Sequence, residues 1–454
     1  MARAKTVFTC NSCGYETPKW LGSCPSCQSW NTFEESVIQK ESSQTHKAKL
    51  NSLSPVDKPL KLNEIQLDQS HRFNSNIPEL DRVLGGGFMP GSFVLLGGDP
   101  GIGKSTLTLQ IAGKNKELSI LYCSGEESAA QIAQRAKRLS INSDKLLVYT
   151  ETDINLILEK ATEIKPDLLI IDSIQTVYRT ELSSMPGSVA QLRECSALLM
   201  RYSKQFKVTT LAVGHMNKDG EIAGPRVLEH MVDCVLMFEG EKNHAFRLLR
   251  SQKNRFGSTN EIGVFEMSES GLLDVLNPSQ LFLPEYQREI SGSAVVCSME
   301  GSRPLLMEVQ ALVTESSFGT PQRMASGFDQ KRLALLIAVL EKRAGYFIGT
   351  KDVFLNIAGG IKIQETSSDL GILCALASGL TDRVITEKTI ILGEVGLGAE
   401  VRAIRGIDQR LQEAKKMGFT TAIIPKSNAY KKNLAGIKIK EVETVSEALE
   451  LVLY

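Results

Sequence analysis

One eight-residue motif constrains the fold of this chain more than any other feature. Residues 98–105 have the sequence GDPGIGKS and match the pattern GxxxxGK[ST], with an apolar run before the motif and helically spaced apolar residues after it. Between a strand and a helix, such a motif turns its backbone N–H groups toward phosphate oxygens. The sequence therefore predicts a phosphate-binding loop in an α/β domain; the alternative is a glycine-rich turn that binds nothing.

The motif and one later strand together predict a site for a nucleoside triphosphate and Mg²⁺. Lys104 brings a positive charge to the β- and γ-oxygens, and Ser105 offers a hydroxyl to the metal. A second metal ligand is expected where a buried strand ends, and Leu168–Asp172 supplies four aliphatic residues and then a carboxylate. The residues predicted to hold the nucleotide and its Mg²⁺ are Gly98, Asp99, Pro100, Gly101, Ile102, Gly103, Lys104, Ser105, Thr106 and Asp172.

Two acidic residues follow the next predicted strand, Ser119–Cys123. Glu126 is the expected general base that activates the attacking water, and Glu127 is its structural neighbour. Alternatively, either acid compensates the dipole of the helix that begins near Ser128.

Two further segments carry groups suited to nucleotide chemistry. His215 follows the predicted strand Thr209–Val213, where it can sense the γ-phosphate and couple it to the next loop; a purely structural histidine is the alternative. Lys253 and Arg255 lie two residues apart and so on one face of an extended segment. Such cations can reach the γ-phosphate of a neighbouring subunit, and a solvated turn is the alternative.

Four cysteines near the N-terminus form two CxxC pairs separated by ten residues. Soft thiolate ligands at this spacing predict a closed, structural Zn²⁺ site rather than a catalytic one. A disulfide or a redox pair is the alternative. Trp20 and Trp30 flank the second pair and are expected to pack on it or to form part of a partner surface. The predicted zinc ligands are Cys10, Cys13, Cys24 and Cys27.

Length and composition predict a multidomain protein without membrane spans. The chain has 454 residues, 52 basic and 52 acidic, so nucleic-acid binding requires local patches. The longest apolar run, Leu333–Leu340, is too short to span a bilayer, and we expect a cytoplasmic protein. The predicted domains are a zinc finger (1–35), a flexible linker (36–64), an ATPase domain (65–275) and a second α/β domain (285–454).

Together these segments resemble the RecA-type ATPases, and over nearly the whole chain they resemble the bacterial RadA (Sms) family of DNA repair proteins. The residues that carry the resemblance are the four-cysteine finger, the phosphate loop, Lys253–Gly257 (KNRFG) and a C-terminal domain similar to that of Lon proteases. The resemblance implies that Glu126 is the catalytic glutamate, Asp172 the Walker B acid and His215 the sensor. It also implies that Lys253 and Arg255 correspond to the paired trans-acting cations of the hexameric DnaB helicases.

The same resemblance implies a function and partners. It suggests a nucleoid-associated, DNA-stimulated ATPase that forms a hexameric ring, binds single-stranded and branched DNA, and drives branch migration with the RecA recombinase. An ATP-gated scaffold that does not translocate and an ATP-dependent peptidase are the alternatives.

The C-terminal domain lacks the Ser–Lys pair that a Lon-type peptidase requires. Alignment on the serine loop puts Asp369 at the nucleophile, and alignment of residues 393–408 puts Asp408 at the lysine. A one-residue slip would bring Ser368 into register, but no lysine lies within residues 393–408. We therefore expect no proteolysis. Residues 401–440 hold ten basic and two acidic residues, which predicts a DNA contact or a solvated face. The loop Asn217–Arg226 is the other predicted DNA contact, unless it is an ordinary surface loop.

Overall fold

The computed structural model describes residues 5–10, 15–25, 28, 30–38, 72–215, 227–240, 246–283, 290–316, 319–360, 362–430 and 434–453. The chain divides into two units, Met1–Val275 and Leu276–Tyr454. Among the described residues, no helix has both the length and the apolar content needed to cross a bilayer.

The N-terminal residues form a small antiparallel sheet. Its strands are ordered β2-β1-β3, and Cys10, Cys24 and Phe33 are buried in one cluster. Cys13 and Cys27, the other two predicted zinc ligands, lie outside the described residues. The strands are β1 (Lys5–Cys10), β2 (Glu16–Thr17) and β3 (Phe33–Ile38).

The nucleotide domain is built on a nine-stranded sheet with the order β12-β11-β10-β9-β4-β8-β7-β5-β6. The six strands from β9 to β6 in this order are parallel, and the phosphate motif follows β4 near the middle of the sheet. The strands are β4 (Phe93–Gly98), β5 (Ile120–Ser124), β6 (Leu146–Tyr149), β7 (Leu168–Asp172), β8 (Thr209–Val213), β9 (Cys234–Glu239), β10 (Phe246–Asn254), β11 (Ile262–Ser268) and β12 (Gly271–Asp274).

Helices cover both faces of this sheet because its central strands are apolar on both sides. Along β4, Val94 and Leu96 join one core cluster, whereas Phe93 and Leu95 join the other. A continuous aliphatic strand of this kind is typical of a buried parallel sheet. The helices are α1 (Pro78–Leu84), α2 (Lys104–Lys114), α3 (Ala129–Arg138), α4 (Ile154–Ile164), α5 (Val189–Phe206) and α6 (Val227–Met231).

The predicted α/β fold is confirmed, and the five strands expected in this domain lie within two residues of the observed ones. In the antiparallel extension β10–β12, an extended segment was predicted at Lys253 and Arg255, and β10 includes it as far as Asn254. The strands β11 and β12 and the edge strand β6 were not predicted. In β10 partly buried and buried residues alternate from Phe246 to Ser251, which differs from the aliphatic runs that identified the parallel strands.

The C-terminal unit contains a second α/β layer structure with the strand order β15-β16-β14-β13-β17-β20-β21, and a separate β18-β19 pair. Its strands are β13 (Ser293–Glu300), β14 (Arg303–Glu315), β15 (Arg323–Ser326), β16 (Lys351–Ile357), β17 (Thr389–Ile391), β18 (Glu394–Val395), β19 (Val401–Arg402), β20 (Thr421–Pro425) and β21 (Lys438–Val442). Its helices are α7 (Ser279–Phe282), α8 (Gln330–Ala344), α9 (Asp369–Thr381), α10 (Ile407–Lys416) and α11 (Val445–Val452).

Candidate functional site

The phosphate loop has a backbone conformation that only glycine adopts without strain. Gly98, Gly101 and Gly103 have φ angles of 147°, 81° and 120°. A Cβ atom on Gly98 would lie 2.9 Å from the Phe238 Cβ, and one on Gly103 would lie 2.8 Å from a methionine methyl group. The three glycines therefore fix the loop shape before helix α2 begins at Lys104.

Lys104 is buried at the start of α2 and its ammonium group is held by the loop itself. Its Nζ donates hydrogen bonds to the carbonyl oxygens of Gly98 (2.7 Å) and Asp99 (2.9 Å). Burial lowers the pKa of Lys104, and the charges of Asp172 and Glu126 act in the opposite direction. Both partners of the ammonium are neutral carbonyls, so the positive charge is available to a phosphate.

Asp172 ends the buried strand β7 next to β5. Tyr122 Oη donates a 2.6 Å hydrogen bond to its Oδ2, and burial together with this carboxylate raises the pKa of Tyr122 well above its usual value. The other oxygen, Oδ1, is buried without a hydrogen-bond partner in the part of the chain that the structure describes. Burying a charged oxygen without a partner is costly. An orphaned carboxylate oxygen is what a hard cation such as Mg²⁺ requires, so Asp172 fits a metal ligand.

Glu126 lies just beyond β5 and receives hydrogen bonds from two elements. Ser173 Oγ donates to its Oε1 at 2.5 Å, and His215 Nε2 lies 2.8 Å from the same oxygen. The hydrogen bond from His215 is the main reason that the pKa of Glu126 is lowered. Glu127 instead forms an ion pair with Arg135 on α3. The structure therefore separates the two acids, with Glu126 turned toward β7 and β8.

His215 connects this cluster to the chain after β8. Its backbone carbonyl accepts a 3.4 Å hydrogen bond from Gln175, and its Nδ1 is buried without a partner among the residues described. The predicted DNA-contacting loop Asn217–Arg226 lies outside the described residues. The position after β8 thus brings His215 to Glu126, the predicted general base, and its role as a γ-phosphate sensor stays a prediction.

Lys253 and Arg255 are not brought to the phosphate loop of their own chain. The Lys253 Nζ donates to the carbonyl oxygens of Glu229 (2.7 Å) and His230 (3.1 Å), at the end of α6. Arg255 donates to Asp233 Oδ1 (3.3 Å) and to the His230 carbonyl (3.4 Å). Burial is the main reason that the pKa of Lys253 is lowered, followed by repulsion from Arg255.

Strand register fixes the distance between these cations and the phosphate loop. Asn254 pairs with Cys234, and Cys234 pairs with Val94 at the beginning of β4, whereas Gly98 stands at its end. Four residues of strand separate the two positions, about 13 Å at the usual rise. The side chain of Arg255 is 47% exposed. Arg255 follows Asn254 and so lies near the start of β4, whereas the phosphate loop lies at the end of β4.

Three C-terminal residues align with a peptidase centre, and two of them, Asp369 and Ser368, already have hydrogen-bond partners. Asp369 is fully buried and forms an ion pair with Arg332, whose Nε lies 3.2 Å from Oδ1; the Val395 N–H donates to Oδ2 at 3.2 Å. Ser368 Oγ donates weakly to the carbonyl of Glu365 (3.4 Å). Asp408 lies in the first turn of α10. These contacts contain no nucleophile with an adjacent base.

Among the described basic residues of the segment 401–440, Arg410 is the buried exception, and most of the others are exposed: Arg402, Arg405, Lys415, Lys416, Lys426 and Lys438. Arg410 is 1% exposed and makes two hydrogen bonds to Glu365, at 2.6 and 2.9 Å. Arg402 pairs with Glu400, and Lys426 pairs with Glu443 at 2.5 Å. Lys431 and Lys432 lie outside the described residues.

Two residues next to the nucleotide site were missed in the sequence. Tyr122 is internal to β5, and Ser173 follows Asp172 directly. No local pattern marks Tyr122, whereas the hydroxyl of Ser173, directly after the predicted metal ligand Asp172, was a signal that the sequence offered.

At the N-terminus, the two described cysteines suit a soft metal. Both thiols are buried in one cluster, and Cys10 Sγ lies 3.1 Å from Thr32 Oγ1. Buried sulfur donors on a small sheet fit a structural Zn²⁺ ion.

Comparison with protein families gives three matches along the chain. An AAA domain model matches residues 58–221, a rubredoxin metal binding domain matches residues 8–35, and subunit ChlI of Mg-chelatase matches residues 324–428. The chain therefore carries an ATPase domain and a metal-binding ribbon, as predicted. Among solved structures, a KaiC-like protein from Pyrococcus horikoshii covers 45% of this chain and 99% of its own at 22% identity, with a TM-score of 0.38, a likeness too slight to add to the assignment.

Curated relatives match over the full length. Proteins named DNA repair protein RadA from Halalkalibacterium halodurans and Bacillus subtilis are each 49% identical and cover 100% and 99% of both chains, respectively. The protein of the same name from Listeria monocytogenes is 47% identical over 100% of both. The chain belongs to the RadA family of DNA repair proteins.

Proposed function

We propose that this chain is a DNA-stimulated ATPase that acts as a hexameric ring, with each ATP completed by cations from the next protomer. The observation that carries the proposal is the register of the sheet, which puts Asn254, between the two cations Lys253 and Arg255, about 13 Å along the strands from its own phosphate loop. The phosphate loop, Asp172 and Glu126 lie together within one protomer. In the proposal, Lys253 and Arg255 of that protomer serve the ATP of the neighbouring one.

ATP binding begins with an exchange of partners at Lys104. The ammonium leaves the carbonyls of Gly98 and Asp99 for the β- and γ-oxygens, while the loop N–H groups bind the phosphates at the start of α2. The residues that would hold Mg²⁺ are Ser105 and Asp172, through its orphaned Oδ1. Bound there, the ion would neutralise charge on the phosphate oxygens.

Hydrolysis uses Glu126 as the acceptor of a proton. A water oxygen attacks the γ-phosphorus, the bond from that phosphorus to the β-phosphate oxygen breaks, and a water proton passes to the Glu126 carboxylate. ADP and phosphate are the products. Arg255 and Lys253 of the neighbouring protomer stabilise the charge that develops on the transferred group.

The contact between His215 and Glu126 suggests how nucleotide state is passed to DNA. Asn217–Arg226 follows His215 closely in the sequence, so a shift of His215 that begins at Glu126 is passed along the chain toward that segment. We infer that this segment contacts single-stranded and branched DNA, and that turnover drives branch migration with the RecA recombinase. The paired charges of the C-terminal unit support a non-proteolytic role.

A mixing experiment tests the shared site. Arg255→Ala and Lys104→Ala chains are each expected to keep only a small residual rate, and mixtures are expected to recover DNA-stimulated ATP hydrolysis, because some interfaces then join an intact loop to intact cations. Arg250→Ala, on strand β10 just before the cationic motif and paired with Glu239, is the matched control and is expected to stay active. A rate that stays at this residual level at every mixing ratio contradicts the trans arrangement.

DNA stimulation and motor action are tested separately. Turnover is measured with and without single-stranded DNA over a range of salt concentrations, and equal rates throughout contradict a DNA-linked ATPase. Branch migration is then measured with Lys104→Ala chains. If RecA-dependent strand exchange is stimulated as strongly as by wild type, the chain acts as a scaffold and not as a motor.

A further inference from the structure

The cationic motif Lys253–Gly257 is fastened to a glycine turn that lies far away in sequence. Helix α1 ends at Leu84, and Gly85 caps it with a φ angle of 79°. A Cβ atom built on Gly85 would lie only 3.3 Å from the Gly257 Cα, so the two backbones are in direct contact. Both positions therefore require a small residue for this packing.

Arg72 bridges the two backbones with one guanidinium group. Its Nη1 donates to the carbonyl oxygens of Leu84 and Gly87, each at 3.0 Å, and its Nη2 donates to the carbonyl of Phe256. A planar guanidinium can make these three contacts at once, whereas an ammonium is a point donor on a flexible stem. The positive charge also faces the carbonyl end of α1, which favours it.

Asn254 makes a second connection beside the first. Its Nδ2 donates to the Leu84 carbonyl at 3.2 Å, and its Oδ1 accepts the N–H of Phe256 at 2.9 Å. Arg255 stands between Asn254 and Phe256, so both of its neighbours are anchored to α1 and its turn. The side chain of Arg255 projects from a backbone that is fixed on both sides.

We propose that Arg72 is a positioning residue for the trans-acting cations: it holds the Arg255 backbone in the conformation that a neighbouring protomer's triphosphate requires. The inference rests on the proposed function, because it needs Arg255 to act across an interface. Within the described part of the chain, all three hydrogen bonds of Arg72 go to backbone carbonyls, so we expect it to act on the geometry of that backbone. A displacement of about 1 Å in a catalytic group lowers turnover by about 100-fold.

The expected signature is a loss of kcat without a loss of nucleotide affinity. In Arg72→Gln, the kcat for ATP is expected to fall by about 10- to 100-fold, while binding of a fluorescent ATP analogue to the chain's own loop is unchanged. Arg72→Lys is expected to recover part of the rate. Arg82→Gln, an exposed arginine of α1 paired with Glu79, is the matched control and is expected to behave like wild type.

Two further measurements identify the route of the effect. Arg72→Gln combined with Arg255→Ala is expected to be no slower than Arg255→Ala alone, because the first change acts only through the second residue. Arg72→Gln chains mixed with Lys104→Ala chains are expected to regain turnover in their own loops, which then receive intact cations. Thermal unfolding of each variant is measured alongside, and Asn254→Ala repeats the series should Arg72→Gln not fold.

The failures are distinguishable. Additive losses in the double variant, reduced analogue binding, or an unchanged kcat in Arg72→Gln overturn the role of Arg72 while leaving the trans site standing. A fully active Arg255→Ala protein instead overturns the proposed function, and the inference about Arg72 with it.

Discussion

Asp172 in the nucleotide domain and Asp369 in the C-terminal unit are both buried, but they differ in how many of their carboxylate oxygens have hydrogen-bond partners. Asp172 in the nucleotide domain receives one hydrogen bond, from Tyr122, and keeps Oδ1 without a partner among the described residues. Asp369 in the C-terminal unit has both oxygens bound by Arg332 and the Val395 N–H. The first carboxylate is left incomplete at an energetic cost, which is typical of a site that binds a ligand, whereas the second is complete as it stands.

The buried cations show the same difference. Lys104 contacts neutral carbonyl groups of its own loop, so its charge is uncompensated by those contacts. Arg410 in the C-terminal unit is bound in two places to the Glu365 carboxylate, and the hydrogen bonds from Arg410 lower the pKa of that acid against the effect of burial. The buried charge of Lys104 is therefore available for chemistry, whereas the buried charge of Arg410 stabilises the fold.

The largest effect is expected from Lys104→Ala. Removing the only ammonium that the described loop directs at the β- and γ-oxygens is expected to lower ATP turnover by at least about 100-fold, as loss of one preorganised charge donor does in other enzymes. Lys116→Ala, an exposed lysine just beyond the same helix, is the control. Steady-state phosphate release measures both, and near-wild-type turnover in Lys104→Ala would show that the loop charge is dispensable.

A stability measurement tests whether the buried Arg410–Glu365 pair holds the C-terminal unit together. Arg410→Ala leaves Glu365 partly buried without its cation and is expected to destabilise the C-terminal unit by about 3–5 kcal/mol. Arg402→Ala removes an exposed pair and is expected to change little. Chemical denaturation followed by far-UV circular dichroism measures the stability of both variants. Equal stability of the two variants would contradict a structural role for the buried Arg410–Glu365 pair.

A pH profile tests the contact between His215 and Glu126. A base must be ionised, and because His215 lowers the pKa of Glu126, activity persists to lower pH in the wild type. In His215→Ala that pKa rises, so the acidic limb of kcat is expected to move to higher pH. His230→Ala, whose backbone carbonyl receives Lys253, is the control. An unmoved acidic limb in His215→Ala contradicts the assignment of Glu126 as the titrating base.

The smallest effect on ATP turnover is expected from the metal ribbon. Cys24→Ser is expected to release Zn²⁺ and to unfold the small sheet around Cys10, because such a ribbon depends on its metal for folding. The thermal unfolding of the ATPase domain is expected to stay at its wild-type temperature. Metal content by mass spectrometry and calorimetry measure the two effects, and a shared loss of both folds would show that the ribbon and the ATPase domain are one cooperative unit.

The parallel strands and the phosphate loop could be predicted because their signals are local. The aliphatic run Leu168–Asp172 predicted β7 to the residue, since a strand buried on both faces needs no alternation. The partners of the site could not be predicted, because they depend on a strand order that does not follow the sequence. Tyr122 reaches Asp172 only because β5 and β7 are neighbours, and Arg72 reaches Phe256 across 184 residues of chain.

The basic segment 401–440 shows a second limit of prediction from sequence, because a charge count does not show which charged side chains are buried. Its surplus of positive charge was counted along the chain, where the partner of Arg410 is not visible because Glu365 lies 45 residues earlier. Charge counts predict a surface field only when the charged side chains are exposed. Position in the sequence alone did not distinguish Arg410 from its exposed neighbours.

One paired assay tests the central contrast most directly. Glu126→Gln and Asp369→Asn chains are compared with the wild type for ATP hydrolysis and for cleavage of an unfolded protein. We expect Glu126→Gln to lose ATP hydrolysis while still binding ATP. Folded Asp369→Asn protein is expected to retain ATP hydrolysis, and none of the three chains is expected to cleave the unfolded protein. Hydrolysis that survives Glu126→Gln, or cleavage by the wild type that is lost in Asp369→Asn, would contradict the account.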